Sequence, residues 1–245
     1  AVEVFRGTAN DGGYGVSPFT LDDGDGNHAV LISRPLSTFE AEQFIMTPNG
    51  FEKIGLPLKS SISGLVSGHV VISLDTTWTP AGGTTFHAGS IVSVPLAAML
   101  AHPEALKPTL IYAPGPRESV GRVAATHDAL IVTQLDNVRG RAYVYTPGSA
   151  GWTRTKIDLP DNLSIGIVDA DIHSNTAFLD VTGFLTPNSV WHVDTKSHLL
   201  MSIKSLPPKF DASNLEVEQC EATSTDGTHI PYFVVHKRGM KLDGH

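Results

Sequence analysis

Ala129-Leu130-Ile131-Val132-Thr133-Gln134-Leu135, then Arg141-Ala142-Tyr143-Val144-Tyr145, then Trp152-Thr153-Arg154-Thr155-Lys156-Ile157 reads as three consecutive strands joined by turns. The runs are short, rich in β-branched and aromatic residues, and too brief for helices. Similar runs lie at 28–33, 41–46, 51–54, 68–74, 91–94, 110–112, 176–181, 189–193 and 199–203. Thr47-Pro48-Asn49-Gly50 joins two of them as a hairpin, with Asn-Gly as the turn signal. The pattern repeats. Copies begin near Val16, Ser61, Gly121 and Ile165, each roughly 45–60 residues long with about four strands, the size of a propeller blade. Each copy closes alike, on Leu56-Pro57, Ala113-Pro114, Leu159-Pro160 and Leu206-Pro207. Proline is tolerated there because the chain is leaving an outer strand, where no ladder donor is lost. The expected fold is all-β: a partial β-propeller of about four four-stranded antiparallel blades, with a C-terminal hairpin beyond it. A sandwich of short strands is the other all-β reading. Pro95-Leu96-Ala97-Ala98-Met99-Leu100-Ala101-His102 stands apart as a short surface helix stopped by Pro103.

Composition agrees with a folded, turn-rich chain. Its 245 residues are 41% hydrophobic and only 17% charged, with 23 glycines and 16 prolines. No run of 18 apolar residues is present to cross a membrane. Residues 1–6 show no basic segment followed by an apolar run, so no signal peptide is read. With 17 basic against 25 acidic residues and a net charge of −8, capture of nucleic acid or of an anionic membrane is disfavoured. The single cysteine, Cys220, forbids an internal disulfide, and its default reading is burial in a tail hairpin. It leaves the compartment open between cytoplasm and periplasm.

The sequence carries no recognisable reaction centre. Gly64-Leu65-Val66-Ser67-Gly68 and Pro147-Gly148-Ser149-Ala150-Gly151 both misplace the serine of a nucleophile elbow. Asp22-Asp23-Gly24-Asp25-Gly26-Asn27 starts like a calcium loop, but His28 stands where Gly is needed and Arg34 where Glu is needed. A glycine-rich turn is expected instead. Asp169, Asp171 and His173 alternate as metal ligands on one strand face could, yet Ser174 and Asn175 point to a turn. His69, His87, His127 and His192 are isolated. Asp22, Asp75, Asp136 and Asp180 each lie near a strand end, and their number permits the paired carboxylates of a glycosidase without supporting them. Trp78, Trp152 and Trp191 fall one per repeat, which packing explains more simply than a ligand face. No catalytic, cofactor-binding or metal-ligating residue is assigned, and no cofactor is expected.

The last third carries a specific likeness. Phe210-Asp211-Ala212-Ser213-Asn214-Leu215-Glu216-Val217-Glu218-Gln219, Glu221-Ala222-Thr223-Ser224 and Asp226-Gly227-Thr228-His229-Ile230-Pro231-Tyr232-Phe233-Val234-Val235-His236 resemble the prolyl oligopeptidase family. In that family this stretch crosses from propeller to α/β-hydrolase domain, and Lys237-Arg238-Gly239-Met240-Lys241-Leu242-Asp243-Gly244 resembles its continuation. Val181-Thr182-Gly183-Phe184-Leu185-Thr186-Pro187 is similar to the family's final-blade segment. Leu135-Asp136-Asn137-Val138 with Arg141, and Leu74 with Trp78, Gly82-Gly83-Thr84-Thr85 and Ala88-Gly89-Ser90, are similar to bacterial members. The resemblance implies a seven-bladed propeller that admits short peptides to a serine peptidase cutting after proline. It divides this chain into a partial propeller at 1–209 and a crossover with the first hairpin of a hydrolase domain at 210–245. It supplies no triad residue at any position present.

The first functional expectation is therefore a non-catalytic propeller segment of a prolyl oligopeptidase-like serine peptidase, meeting peptide substrate only within the whole enzyme. The alternative is a standalone propeller that binds a ligand or a protein. A propeller glycosidase ranks last. Self-association through open blade edges or the tail hairpin is also expected.

Overall fold

The computed structural model describes residues 2–8, 11 and 15–241. Residues 242–244, which close the stretch resembling the family, and the outermost residues of both expected segments lie outside the described residues. Within the described residues the chain forms four antiparallel sheets of four strands and one two-stranded hairpin. Blade one holds β1 (Ser17–Asp22), β2 (His28–Pro35), β3 (Ala41–Thr47) and β4 (Gly50–Lys53). Blade two holds β5 (Ser60–Val66), β6 (His69–Leu74), β7 (Ile91–Pro95) and β8 (Thr109–Tyr112). Blade three holds β9 (Glu118–Ala125), β10 (Leu130–Asp136), β11 (Arg139–Gly148) and β12 (Gly151–Lys156). Blade four holds β13 (Leu163–Ala170), β14 (Thr176–Gly183), β15 (Ser189–Asp194) and β16 (Leu200–Ser205). The hairpin is β17 (Leu215–Thr223) with β18 (His229–Lys237). Each blade is an up-and-down meander in chain order, and the first strands β1, β5, β9 and β13 lie side by side. This is the expected partial β-propeller.

The interior strands are apolar on both faces because a blade between two others has no solvent side. Val70, Ile72 and Leu74 on one face of β6 pack with Leu31 and Ile45 of blade one. Val71, between them in sequence, turns the other way and packs with Leu130 and Val132 of blade three. On β10, Ile131 faces blade four and meets Leu179 and Val181. Full burial of each such side chain contributes about 1.5–3 kcal/mol. The outer face of blade one is covered in part by Phe5, whose ring meets Phe44 at 4.8 Å and Phe51 at 5.9 Å, both edge-on.

The first strand of a blade is harder to read from sequence than the rest. Register shifts interrupt β5 between Ile62 and Gly64 and β13 between Ile167 and Asp169, and the β9–β10 ladder shifts between Val132 and Gln134. A bulge breaks the period of two and re-aims a side chain. These strands are also built from small and polar residues: Ser60, Ser61 and Ser63, then Ser119 and Gly121, then Ser164 and Gly166.

Three local expectations need correction. The helix α1 (Leu96–Ala101) is not a surface turn: Leu96 and Met99 are buried in the core between blades one and two, and Pro95 sits at its N-cap. The hairpin turn of blade one is centred on Pro48 and Asn49, since Thr47 pairs with Gly50, and only Gly50 takes positive φ (109°). Cys220 is half-buried, opposite Tyr232 in the hairpin ladder.

Candidate functional site

The first strands of the four blades line a concave channel wall. The side chains there are small or polar because blades converge and leave little room. One cavity of about 410 Å³ is bounded by Thr20, Ser63, Gly64, Arg122, Asp169 and Ile172. A second, of about 530 Å³, reaches Ser61, Asp75, Glu118 and Gly121, with Arg122 again on its wall. The Arg122 guanidinium donates to the Ile167 carbonyl at 2.8 Å, beside the bulge in β13. It thereby ties blade three to blade four within the channel.

At one end of the channel the hairpin β17–β18 is docked on loops of blades three and four. Gln219 Nε2 donates to the Asn137 carbonyl at 2.6 Å, and Asn162 Nδ2 donates to the Val217 carbonyl at 3.3 Å. Arg117 bonds Glu221 at 2.5 Å, and His229 meets the other Glu221 oxygen at 2.8 Å. The Arg117 guanidinium holds the Glu221 carboxyl below its usual range. The Phe184 and Phe233 rings meet at 5.5 Å. Beside them Leu135, Val138 and Leu163 complete an apolar cleft of about 410 Å³. A larger cleft of about 720 Å³ runs between Phe184–Pro187 and the chain leaving blade four at Pro207 and Phe210. The β10–β11 turn supports this face from a strained backbone. Its two central residues, Asn137 (φ 47°) and Val138 (φ 63°), are both left-handed. That suits a hairpin turn of this hand but is costly for a β-branched residue.

At the other end the 22–27 turn leans across the blade tips. The Asp23 carboxylate, 1% exposed, accepts from the Asp25 and Asn27 amides at 3.0 and 3.2 Å, from Asn27 Nδ2 at 2.7 Å, and from the Gly68 amide of blade two at 2.9 Å. Burial pushes its pKa up, and these four bonds outweigh it, so the group sits below its ordinary value. Asp25 meets His127 Nε2 of blade three at 3.1 Å, while Asp128 meets His127 Nδ1 at 2.8 Å. Asp128 is also held by Lys196 Nζ at 2.9 Å and Asn175 Nδ2 at 3.0 Å, both from blade four.

The residues singled out from the sequence thus fall into separate places. Ser67 occupies the β5–β6 turn with positive φ, and Ser149 the β11–β12 turn. Asp169 stays in β13, but Asp171 caps a turn, accepting from the His173 amide and the Ser174 hydroxyl. Among the described residues no three His, Cys, Asp or Glu side chains gather as metal ligands. Among them, too, no helix is long and apolar enough to cross a membrane. His69 lies edge-on to Trp152, and His192 packs on Phe178. Asp22, Asp75, Asp136 and Asp180 belong to four different blades, and Asp180 is internal to β14 rather than near its end. Trp78 packs on Phe86, Trp152 donates to Ser93 and Trp191 to Ser189. Sequence reasoning missed His127, since its two carboxylate partners include one from a distant repeat.

The chain is 35% identical over 250 residues to an uncharacterised peptidase of Sinorhizobium fredii, matching all of this chain and 34% of that protein. It is 26% identical over 230 residues to an uncharacterised peptidase of Rickettsia prowazekii, covering 91% of this chain and 32% of that one. In structure it resembles a post-proline cleaving enzyme from Rickettsia typhi with a TM-score of 0.75 and 25% identity, over 93% of this chain and 34% of that chain. It therefore spans about a third of the length of the curated relatives it matches. No family model matches it.

Proposed function

We propose that this chain, homologous to the propeller region of prolyl oligopeptidase-like peptidases, serves such a serine peptidase as its access-limiting part and contributes no catalytic residue. The reading is carried by one observation: similarity to a peptidase runs along the whole chain, while the hairpin is bound to one face of the blades by the Arg117 and Asn162 side chains of the loops flanking blade three and by its own Gln219 on the Asn137 carbonyl. A face that holds the hairpin in a fixed place can seat a second domain over the channel. Acyl transfer by a Ser–His–Asp set would then take place beneath that face, and the narrow polar channel would admit an extended peptide but no folded domain. The test is made in the peptidase that contains this chain. Short chromogenic peptides with an internal proline are expected to be cut. A folded protein displaying the same proline sequence in an exposed loop is expected to survive until it is unfolded. Equal cleavage of both would refute the access-limiting role.

A further inference from the structure

We propose that the 22–27 turn is a proton-sensitive strap across the channel end opposite the docked hairpin, latched by the His127 imidazole between two carboxylates. It rests on the geometry of this turn and not on the peptidase reading, so either can fail alone.

The strap touches every other blade. Through Asp23 it takes the Gly68 amide of blade two, and through Asp25 it takes His127 of blade three. At Gly24 it presses on blade four so closely that an added Cβ would lie 2.5 Å from the Ile172 carbonyl and 3.3 Å from His173 Nδ1. Gly24 (φ 79°) and Gly26 (φ 91°) supply the left-handed backbone the crossing needs. Asp22 and Ile172, at the strap's root and landing point, both border the 410 Å³ channel cavity. The eight residues of β9 and Thr126 separate Arg117, the hairpin's anchor, from His127, so the two ends are roughly 30 Å apart.

The latch depends on protonation for a geometric reason. Both ring nitrogens of His127 face a carboxylate oxygen, and a neutral imidazole carries only one N–H. Both pairings are hydrogen bonds only in the imidazolium. On deprotonation the remaining proton stays with Asp128, which is fixed by Lys196 and Asn175. The bond that breaks is then the one from Nε2 to Asp25, and Asp25 belongs to the strap. The groups facing His127 are Asp25 from blade one, Asp128 from blade three, and, around them from blade four, His173 and Lys196. Hydrogen bonds to Asp128 and then Asp25 raise its pKa above the ordinary histidine value. A raised value means the latch is complete below about pH 6.5 and is lost as pH rises through the raised pKa.

Nuclear magnetic resonance on the full chain tests this, reading the His127 ring titration and backbone order parameters at Gly24, Asp25 and Gly26. In the wild type the strap should be rigid, at about 0.85, in the imidazolium form and fall below about 0.6 as His127 loses its proton. Asp25→Asn should lower the His127 midpoint and leave the strap mobile at both extremes. His127→Gln, with a side chain that does not titrate, should abolish the pH dependence. The proposal is overturned if strap order in the wild type does not change across the titration. It is equally overturned if Asp25→Asn leaves the midpoint unmoved.

Discussion

Asp23→Ala probes how the first two blades are held together. The substitution deletes an acceptor of four hydrogen bonds, three from within its own turn and one from the Gly68 amide across the blade boundary. The carboxylate is 1% exposed, so water does not reach it in the native state. A hydrogen bond to a charged group contributes about 1.5–3 kcal/mol, and a buried donor left without a partner costs about 1–3 kcal/mol. The turn lies at the surface, and its own amides recover water once the side chain is gone. The Gly68 donor and the Asn27 side-chain amide dominate the loss, which comes to about 3 kcal/mol. For a chain of this length that lowers Tm by about 6–12 °C. Denaturant unfolding followed by circular dichroism, with calorimetry for Tm, measures it. Because Asp23 titrates below its ordinary value in the fold, its contribution is present at neutral pH. It fades as pH falls from about 4 through the lowered value, so the gap between variant and wild type should close in acid. A loss below about 1 kcal/mol at neutral pH, or one unchanged in acid, would refute the assignment of Asp23 as an inter-blade tie.

Two further perturbations test other parts of the structure. Val138→Gly should raise stability by about 1 kcal/mol in chemical denaturation, because a left-handed β-branched residue costs about 1–2 kcal/mol and its side chain is 46% exposed; a loss would mean its packing beside Phe233 outweighs the strain. Asp128, held down to about 2 by Lys196 and then Asn175, should contribute about 1 kcal/mol after solvent screening, fully above its ordinary value and lost as pH falls toward about 2. Asp128→Asn should therefore be less stable at neutral pH and show a shallower decline in acid unfolding curves.

The sequence made the second, third and fourth strands of each blade legible, and the first strands only as the places where repeats begin. The physics of the two groups differs. Strands such as β6 and β10 lie between two neighbours and must be apolar on both faces, so they appear as uninterrupted runs. Strands such as β5 and β13 line the channel, carry serine and glycine, and contain a bulge that breaks alternation. The burial of Met99 was hidden because six residues are too few to display a helical face. Asp23 was legible as a turn former but not as a tie to Gly68, forty-five positions away. His127 looked isolated because Asp25 lies 102 positions from it. The hairpin was legible through its resemblance alone, and the face it docks on was not, since Gln219, Asn162 and Arg117 form no local pattern.

The most direct test of the central claim is hydrolysis of a chromogenic proline peptide by the purified chain, run beside labelling with a serine-directed phosphonate. Neither turnover nor a covalent adduct is expected. Turnover that the phosphonate abolishes would contradict it.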